Sequence, residues 1–261
     1  MNIQKLWMAS LLVLTLAACK KDKPAEDTGT SNKTCTLSSF TSQLLGNMET
    51  FQIEYAPDGN ISKLKSDFNL HYNRKGDSLI ISYMGLFRLG YIVYDNANRP
   101  KEYFAGDIDE PENFSRTLYQ YSGSALVPSQ ITVNGLVDSN TNDYIIKNMI
   151  YLGENLVSCD LVITEAGIEQ VFALTYEYNP SKKNTAINLY KQLIPLDFNA
   201  VGPFNLTRYV SKNAATKLLI PSQKLTGTYA YTWDQWGNML SQAVIMEGDT
   251  IDTESYTYLC K

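Results

Sequence analysis

The stretch Tyr229-Ala230-Tyr231-Thr232-Trp233-Asp234-Gln235-Trp236-Gly237-Asn238 decides the fold. Its first half alternates aromatic and small residues with a period of two, which puts the rings on one face of an extended strand. Its second half is turn chemistry, since Asp, Gly and Asn reverse a chain readily. A strand ending in such a turn reads as the first arm of a hairpin. The same pattern recurs along the chain. Phe51, Ile53 and Tyr55 alternate with Gln52 and Glu54 before Ala56-Pro57-Asp58-Gly59-Asn60. Tyr176-Glu177-Tyr178 runs into Asn179-Pro180, and Tyr119-Gln120-Tyr121 and Tyr256-Thr257-Tyr258 are further copies. With the looser copies Tyr91 to Tyr94 and Met149 to Tyr151, successive copies are typically about 30 residues apart, which fits one two-stranded unit per repeat.

Consecutive hairpins pair with their neighbours. The expected fold is therefore all-β: a curved antiparallel meander of about a dozen strands, curled into a half-barrel or a closed barrel. Two stretches depart from the pattern. Leu79 to Tyr94 is apolar on both faces, so its strands are expected to be covered on both sides. Pro195 to Lys224 lacks alternation and carries Pro195, Gly202, Pro203 and Pro221. We read 195–224 as one inserted loop, with a short helix over Phe204 to Tyr209 that caps the sheet.

The amino terminus is a processing signal. Lys5 precedes an apolar run, Leu6 to Leu16, which is too short for the roughly 20 residues a bilayer span needs. Leu16-Ala17-Ala18-Cys19 looks like a bacterial lipobox. Residues 1–18 are then a lipoprotein signal peptide and Cys19 the lipidated residue. More than one acyl chain gives stable anchoring, so the mature protein is held to a membrane through Cys19. Residues 19–34 are polar and Pro/Gly/Ser/Thr-rich, which makes a flexible tether. Lys20, where inner-membrane lipoproteins carry Asp, leans towards the outer membrane. Residues 35–261 form the single folded domain.

Tyr94-Asp95 and Trp233 to Asn238 are similar to the YD-type hairpin repeats of Rhs proteins. With the lipobox, the chain from Cys35 onwards resembles a Bacteroidetes lipoprotein family with a domain of unknown function and a porin-like β fold. That resemblance implies an architecture and a cell-envelope location, and it brings no catalytic residues with it.

Composition narrows the function. With 261 residues, 44% of them apolar, the chain is long enough for a sizeable core. Its 22 Lys+Arg against 27 Asp+Glu leave a net charge of -5 and no basic stripe to follow phosphates, so nucleic acid is not an expected partner. His71 is the only histidine, which excludes a histidine-based metal cluster. No Gly-x-Ser-x-Gly and no phosphate-cradling glycine loop occurs. No metal site and no cofactor is expected. Asp107, Asp109, Glu110 and Glu112 cluster in one loop that lacks the glycine of a calcium-binding loop. The remaining cysteines are Cys35, Cys159 and Cys260. A Cys35–Cys260 disulfide would staple the first strand to the last, and Cys159 reads as a buried apolar residue.

Two readings follow. The first is a non-enzymatic envelope lipoprotein that binds a partner protein, a lipid or a glycan. Its candidate surface is the aromatic array of Tyr119, Tyr121, Tyr176, Tyr178, Tyr229, Tyr231 and Trp233. The second is a glycan hydrolase working through acidic residues. The lack of a nucleophile or metal signature favours the first.

Overall fold

The computed structural model describes residues 34–42, 48–67, 69–106, 114–137, 140, 141, 143–165, 167–187, 189 and 205–260. The leader, Cys19 and the tether up to residue 33, the acidic run at 107–113, and residues 195–204 of the insertion with Pro203 lie outside them.

One turn type explains why the aromatic-and-turn motif repeats. At Ala56–Asn60, Asp95–Arg99 and Asp234–Asn238 the first residue donates its N–H to the carbonyl of the fifth, at 2.8, 2.9 and 3.0 Å. The fourth residue donates back to the carbonyl of the first, at 3.0, 2.9 and 3.2 Å. That fourth residue is left-handed in each case: Gly59 (φ 83°), Asn98 (φ 58°) and Gly237 (φ 83°). Gly and Asn enter this region most readily, so the fourth position of the turn is Gly or Asn. Where Asp opens the turn, its Oδ1 accepts two further backbone N–H groups, as Asp234 does from Trp236 and Asn238 at 2.8 Å each.

The strands are β1 (Cys35–Ser42), β2 (Glu49–Tyr55), β3 (Ile61–Lys65), β4 (Asn69–Lys75), β5 (Ser78–Tyr83), β6 (Phe87–Tyr94), β7 (Pro100–Gly106), β8 (Phe114–Gln120) and β9 (Gln130–Val137). They continue as β10 (Asn140–Thr141), β11 (Tyr144–Leu152), β12 (Asn155–Glu165), β13 (Ile168–Lys183), β14 (Asn213–Ile220), β15 (Leu225–Trp233), β16 (Met239–Met246) and β17 (Asp249–Cys260). Each pairs antiparallel with its sequence neighbour around the ring. The two-residue β10 extends the β9 hairpin, and β11 pairs with β9 directly. β1 pairs with both β2 and β17, so the remaining sixteen strands close into a barrel. This is more than the dozen strands expected. Short members such as β3, with 5 residues, fit more strands into the same length. Among the described residues, sequence reading also missed a strand inside its insertion.

That strand is β14. It lies within 195–224, where the sequence predicts a loop with one short helix and no strand. Its alternation is hidden by small Ala214 and Ala215 and by slips in its pairing with β13, where Tyr178 faces Ala215 and Lys183 faces Asn213. The connection between β13 and β14 therefore runs from 184 to 212. It carries the helix α1, Leu206–Val210, inside the expected region but starting after Asn205 and not at Pro203. The second expectation, a layer on both faces of Leu79 to Tyr94, also needs correcting. Leu79, Ile81 and Ile92 are buried inside the barrel. Outside, Ile80, Tyr91 and Val93 are half-buried, because neighbouring wall side chains shield them. Tyr91 stacks on Phe104 at 5.2 Å, and Phe104 on Phe114 at 6.2 Å.

The core is the barrel's inside. Phe40, Phe51, Leu64, Leu70, Ile131, Ile146, Leu174, Leu218, Val244 and their neighbours form one buried cluster. Gly90 of β6 shows how tight the wall is, since an added Cβ would lie 2.3 Å from the Phe104 carbonyl oxygen. A sixteen-strand circuit encloses more space than wall side chains fill alone. The chain of α1 occupies part of it, and all five residues of α1 are buried.

Arg208 of α1 fastens this plug to the wall. It pairs with Asp252 at 2.7 Å and Glu254 at 3.4 Å on β17. The Glu254 carboxylate also accepts from Ser42 (3.0 Å), Gln242 (3.1 Å) and the Tyr256 hydroxyl (2.6 Å). Removing the cation leaves buried acid without its counter-charge. Arg208→Met is expected to cost about 3 kcal/mol, at the low end because three neutral donors remain on Glu254. Urea unfolding checks this, and adding Glu254→Gln should restore part of the loss.

Candidate functional site

The up-and-down topology gathers three sets of connections at one end of the barrel. These are the turns at 56–60 and 95–99, the β8–β9 loop, and α1 with the residues that follow it to 212. Between them lies a cavity of about 520 Å³, lined by Tyr94, Tyr103, Tyr119, Tyr121, Tyr209, Leu126, Val127 and Pro128, with Asp58, Asn60, Asn98 and Arg99 towards the rim. Tyrosines from four elements meet here because β6, β7 and β8 are adjacent and each points its inner face into the lumen. α1 brings Tyr209 from across the barrel.

The rim is built from paired groups. Arg99 gives its Nε and one terminal nitrogen to Asp95 Oδ2, at 2.7 and 2.6 Å. Its other terminal nitrogen holds the carbonyls of Gly123 and Ala125, both at 2.8 Å. The guanidinium lies 4.3 Å over the Tyr121 ring, whose hydroxyl donates to the Pro100 carbonyl at 2.8 Å. Arg74 covers Tyr94 at 4.2 Å and donates to the Asn98 carboxamide oxygen at 3.0 Å. Hydrogen bonds from the Arg99 backbone and side chain hold the Asp95 carboxyl below the usual range. Those from the Asn60 side chain and backbone do the same for Asp58. Both acids stay ionised, so neither is poised as a general acid.

The floor is different. Tyr103 and Tyr119 pack ring to ring at 5.2 Å. Tyr119 is 8% exposed, and its hydroxyl has no hydrogen-bond partner among the described residues. Burial pushes the Tyr103 and Tyr119 phenols well above their ordinary value. Both rings stay neutral and keep their protons for donation.

The seven aromatic residues singled out from sequence all face inward, but they do not form one open patch. Tyr119 and Tyr121 belong to the mouth cavity. Tyr176 and Tyr178 sit on β13, and Tyr229, Tyr231 and Trp233 on β15, with β14 between these two strands. Tyr176 and Tyr229 are buried in the core. Tyr178 donates to the Leu156 carbonyl at 2.6 Å and meets Ser211 Oγ at 2.8 Å, tying the plug segment to β12. Tyr231 stacks on Tyr229 (6.5 Å) and lies tilted against Trp233 (5.7 Å), and Lys182 lies 5.1 Å over Trp233. Closure turns these rings into filling, since a period-two face in a closed barrel has no outside. Cys35 and Cys260 are directly opposite in the β1–β17 register and joined by a disulfide, with Cα atoms 4.0 Å apart. Cys159 is buried, and desolvation pushes its thiol up to about 12. His71 faces outward on β4, half-buried.

Sequence reading missed Tyr94, Tyr103, Tyr209, Asn60 and Asn98 as partners of Tyr119. The turns carrying Asp58 to Asn60 and Tyr94-Asp95 were legible as turns. That they crowd one end of a closed ring was not.

No family model and no curated protein matches the sequence. Among solved structures the chain is similar to a porin-like protein from Bacteroides vulgatus ATCC 8482. The TM-score is 0.55 and the identity 18%, over 85% of this chain and 98% of that one. It is also similar to a porin-like protein from Bacteroides uniformis ATCC 8492, with a TM-score of 0.54 and 15% identity, over 86% and 98%. At these identities the likeness is one of fold: a porin-like antiparallel barrel.

Proposed function

We propose that this chain is a lipid-anchored, non-enzymatic protein of the cell envelope, whose barrel stands in water and binds at its mouth. The observation that carries this reading is the sidedness of the wall. A bilayer-spanning barrel is apolar outside and polar inside. Here the inside is the apolar core, and α1 fills part of the lumen. The outside carries ion pairs across neighbouring strands: Glu54 with Lys65, Glu102 with Arg116 at 2.9 Å, and Glu177 with Lys217 at 3.8 Å. Each cation set against hydrocarbon would cost up to about 2–4 kcal/mol. A porin-like outline is thus combined with a side-chain pattern suited to water. Such a barrel needs a separate anchor, and the lipobox at Cys19 supplies one.

Against the hydrolase reading stand the acids near the cavity and in the core. Asp58 and Asp95 are held ionised by their hydrogen bonds, and Asp252 and Glu254 are engaged with Arg208. Fractionation tests the proposal. The wild-type chain should partition with membranes and incorporate labelled palmitate, and Cys19→Ser should be released in soluble, folded form. A Cys19→Ser protein that stays in the membrane fraction would overturn it.

A further inference from the structure

The geometry points to the mouth cavity as a binding site for a neutral saccharide of one or two pyranose rings. This rests on the reading of the barrel as a water-facing binding module and names the chemical class it takes. The cavity volume of about 520 Å³ lies within the range of small-ligand sites, roughly 300–1,000 Å³.

Its walls select by elimination. A ligand cation is disfavoured, although tyrosine cages suit cations in general. The faces of Tyr94 and Tyr121 are already covered by Arg74 and Arg99, so an incoming cation would meet two guanidinium groups. An anion finds Arg99 saturated by Asp95 and two carbonyls, and it meets ionised Asp58 at the rim. An acyl chain satisfies the apolar walls but gains no hydrogen bond from the Tyr119 hydroxyl, which is already buried without a partner among the described residues.

A pyranose answers all three constraints. It has no charge. Its C–H face packs on tyrosine rings, and its hydroxyls donate and accept. Tyr119 offers a buried hydroxyl at the floor. At the rim Asn60 gives its side-chain N–H to Asp58, so its carboxamide oxygen stays open to a donor. Asn98 is engaged by Arg74 through that oxygen, so its NH₂ stays open to an acceptor. One open acceptor and one open donor on neighbouring turns match a pair of sugar hydroxyls.

The test uses the intact lipoprotein in a zwitterionic, sugar-free detergent. Disaccharides of glucose, galactose, mannose and N-acetylglucosamine are titrated by calorimetry, with glucuronic acid and laurate as the charged and apolar alternatives. Saturable binding of at least one neutral disaccharide is expected. Tyr119→Phe should weaken it about five- to tenfold, the worth of one hydrogen bond, without lowering the thermal midpoint. Val127→Trp, which fills the cavity from the β8–β9 loop, should abolish it. Overturning results are no binding by any neutral disaccharide, binding indifferent to both variants, or tighter binding of laurate or glucuronic acid. Membrane fractionation of the same preparation separates the two readings. Palmitate labelling and membrane association with no sugar binding would remove the saccharide and leave the anchored barrel.

Discussion

Raising the pH from about 9 to about 11.5 is expected to unfold the barrel in one cooperative step. Burial raises the phenols of Tyr72, Tyr103, Tyr119, Tyr176 and Tyr178 far above their ordinary value, and that of Tyr229 to about 12. In the unfolded chain the same phenols ionise near 10. The folded state therefore keeps protons that the unfolded state gives up. Stability from these groups is complete below about pH 10 and lost as pH rises towards the folded values. At pH 11 each phenol held neutral in the fold contributes a loss of about 1.4 kcal/mol, so six give about 8 kcal/mol. Typical domains have about 5–15 kcal/mol in total. Phenolate absorbance and far-ultraviolet circular dichroism, followed together, check this. The buried phenols should appear only as the β signal disappears. Smooth ionisation of all tyrosines near pH 10 with the β signal intact would contradict it. Tyr72→Phe removes a buried hydroxyl that has no partner among the described residues, and it should move the transition upwards.

Of the tyrosines behind this effect, Tyr119, Tyr176, Tyr178 and Tyr229 were legible as a strand face, because period two survives in sequence whatever the sheet does next. The hairpin turns were legible too, since Gly59 and Gly237 sit where only a left-handed residue fits. Strand count and closure were harder. β14 hides behind two alanines and irregular pairing with β13. Closure is a property of the whole circuit: no local residue announces that β17 returns to β1.

The candidate site was legible only in pieces for the same reason. Tyr119 and Tyr121 were picked out with five other rings that turn out to belong to the inner wall elsewhere. What separates the two groups is proximity to a barrel end, which depends on strand length and stagger and not on residue type. Tyr209 is the clearest case. It comes from α1, 90 residues after Tyr119 in the chain, and reaches the cavity because α1 is buried inside the barrel. The alternation rules that place wall residues say nothing about a plug.

Breaking the Cys35–Cys260 disulfide is expected to cost up to about 5 kcal/mol. The two cysteines are 225 positions apart in sequence and face each other across the β1–β17 seam. A cross-link closing a loop of this length removes a large part of the unfolded chain's freedom, worth about 5 kcal/mol in the chain-entropy model. The seam has other support. β1 and β17 pair from Cys35 to Thr41, and the Ser38 hydroxyl donates to the Thr257 carbonyl at 3.0 Å. Reduction should therefore leave the barrel closed in water and lower its resistance to urea. Urea unfolding of the oxidised chain against the Cys35→Ser/Cys260→Ser variant measures the difference. Thiol labelling of a Cys19→Ser chain without reductant is the companion assay. It should find nothing reactive in the folded state, because Cys159 is buried with its thiol raised to about 12, and one thiol after denaturation. Three thiols on denaturation would deny the bridge. Equal urea midpoints for the two chains would mean that backbone pairing alone holds the seam. The loop-closure cost is paid once, either by the cross-link in the unfolded chain or by the β1–β17 ladder during folding. The variant should accordingly fold more slowly than the oxidised protein, since its last strand must find its first across the whole chain.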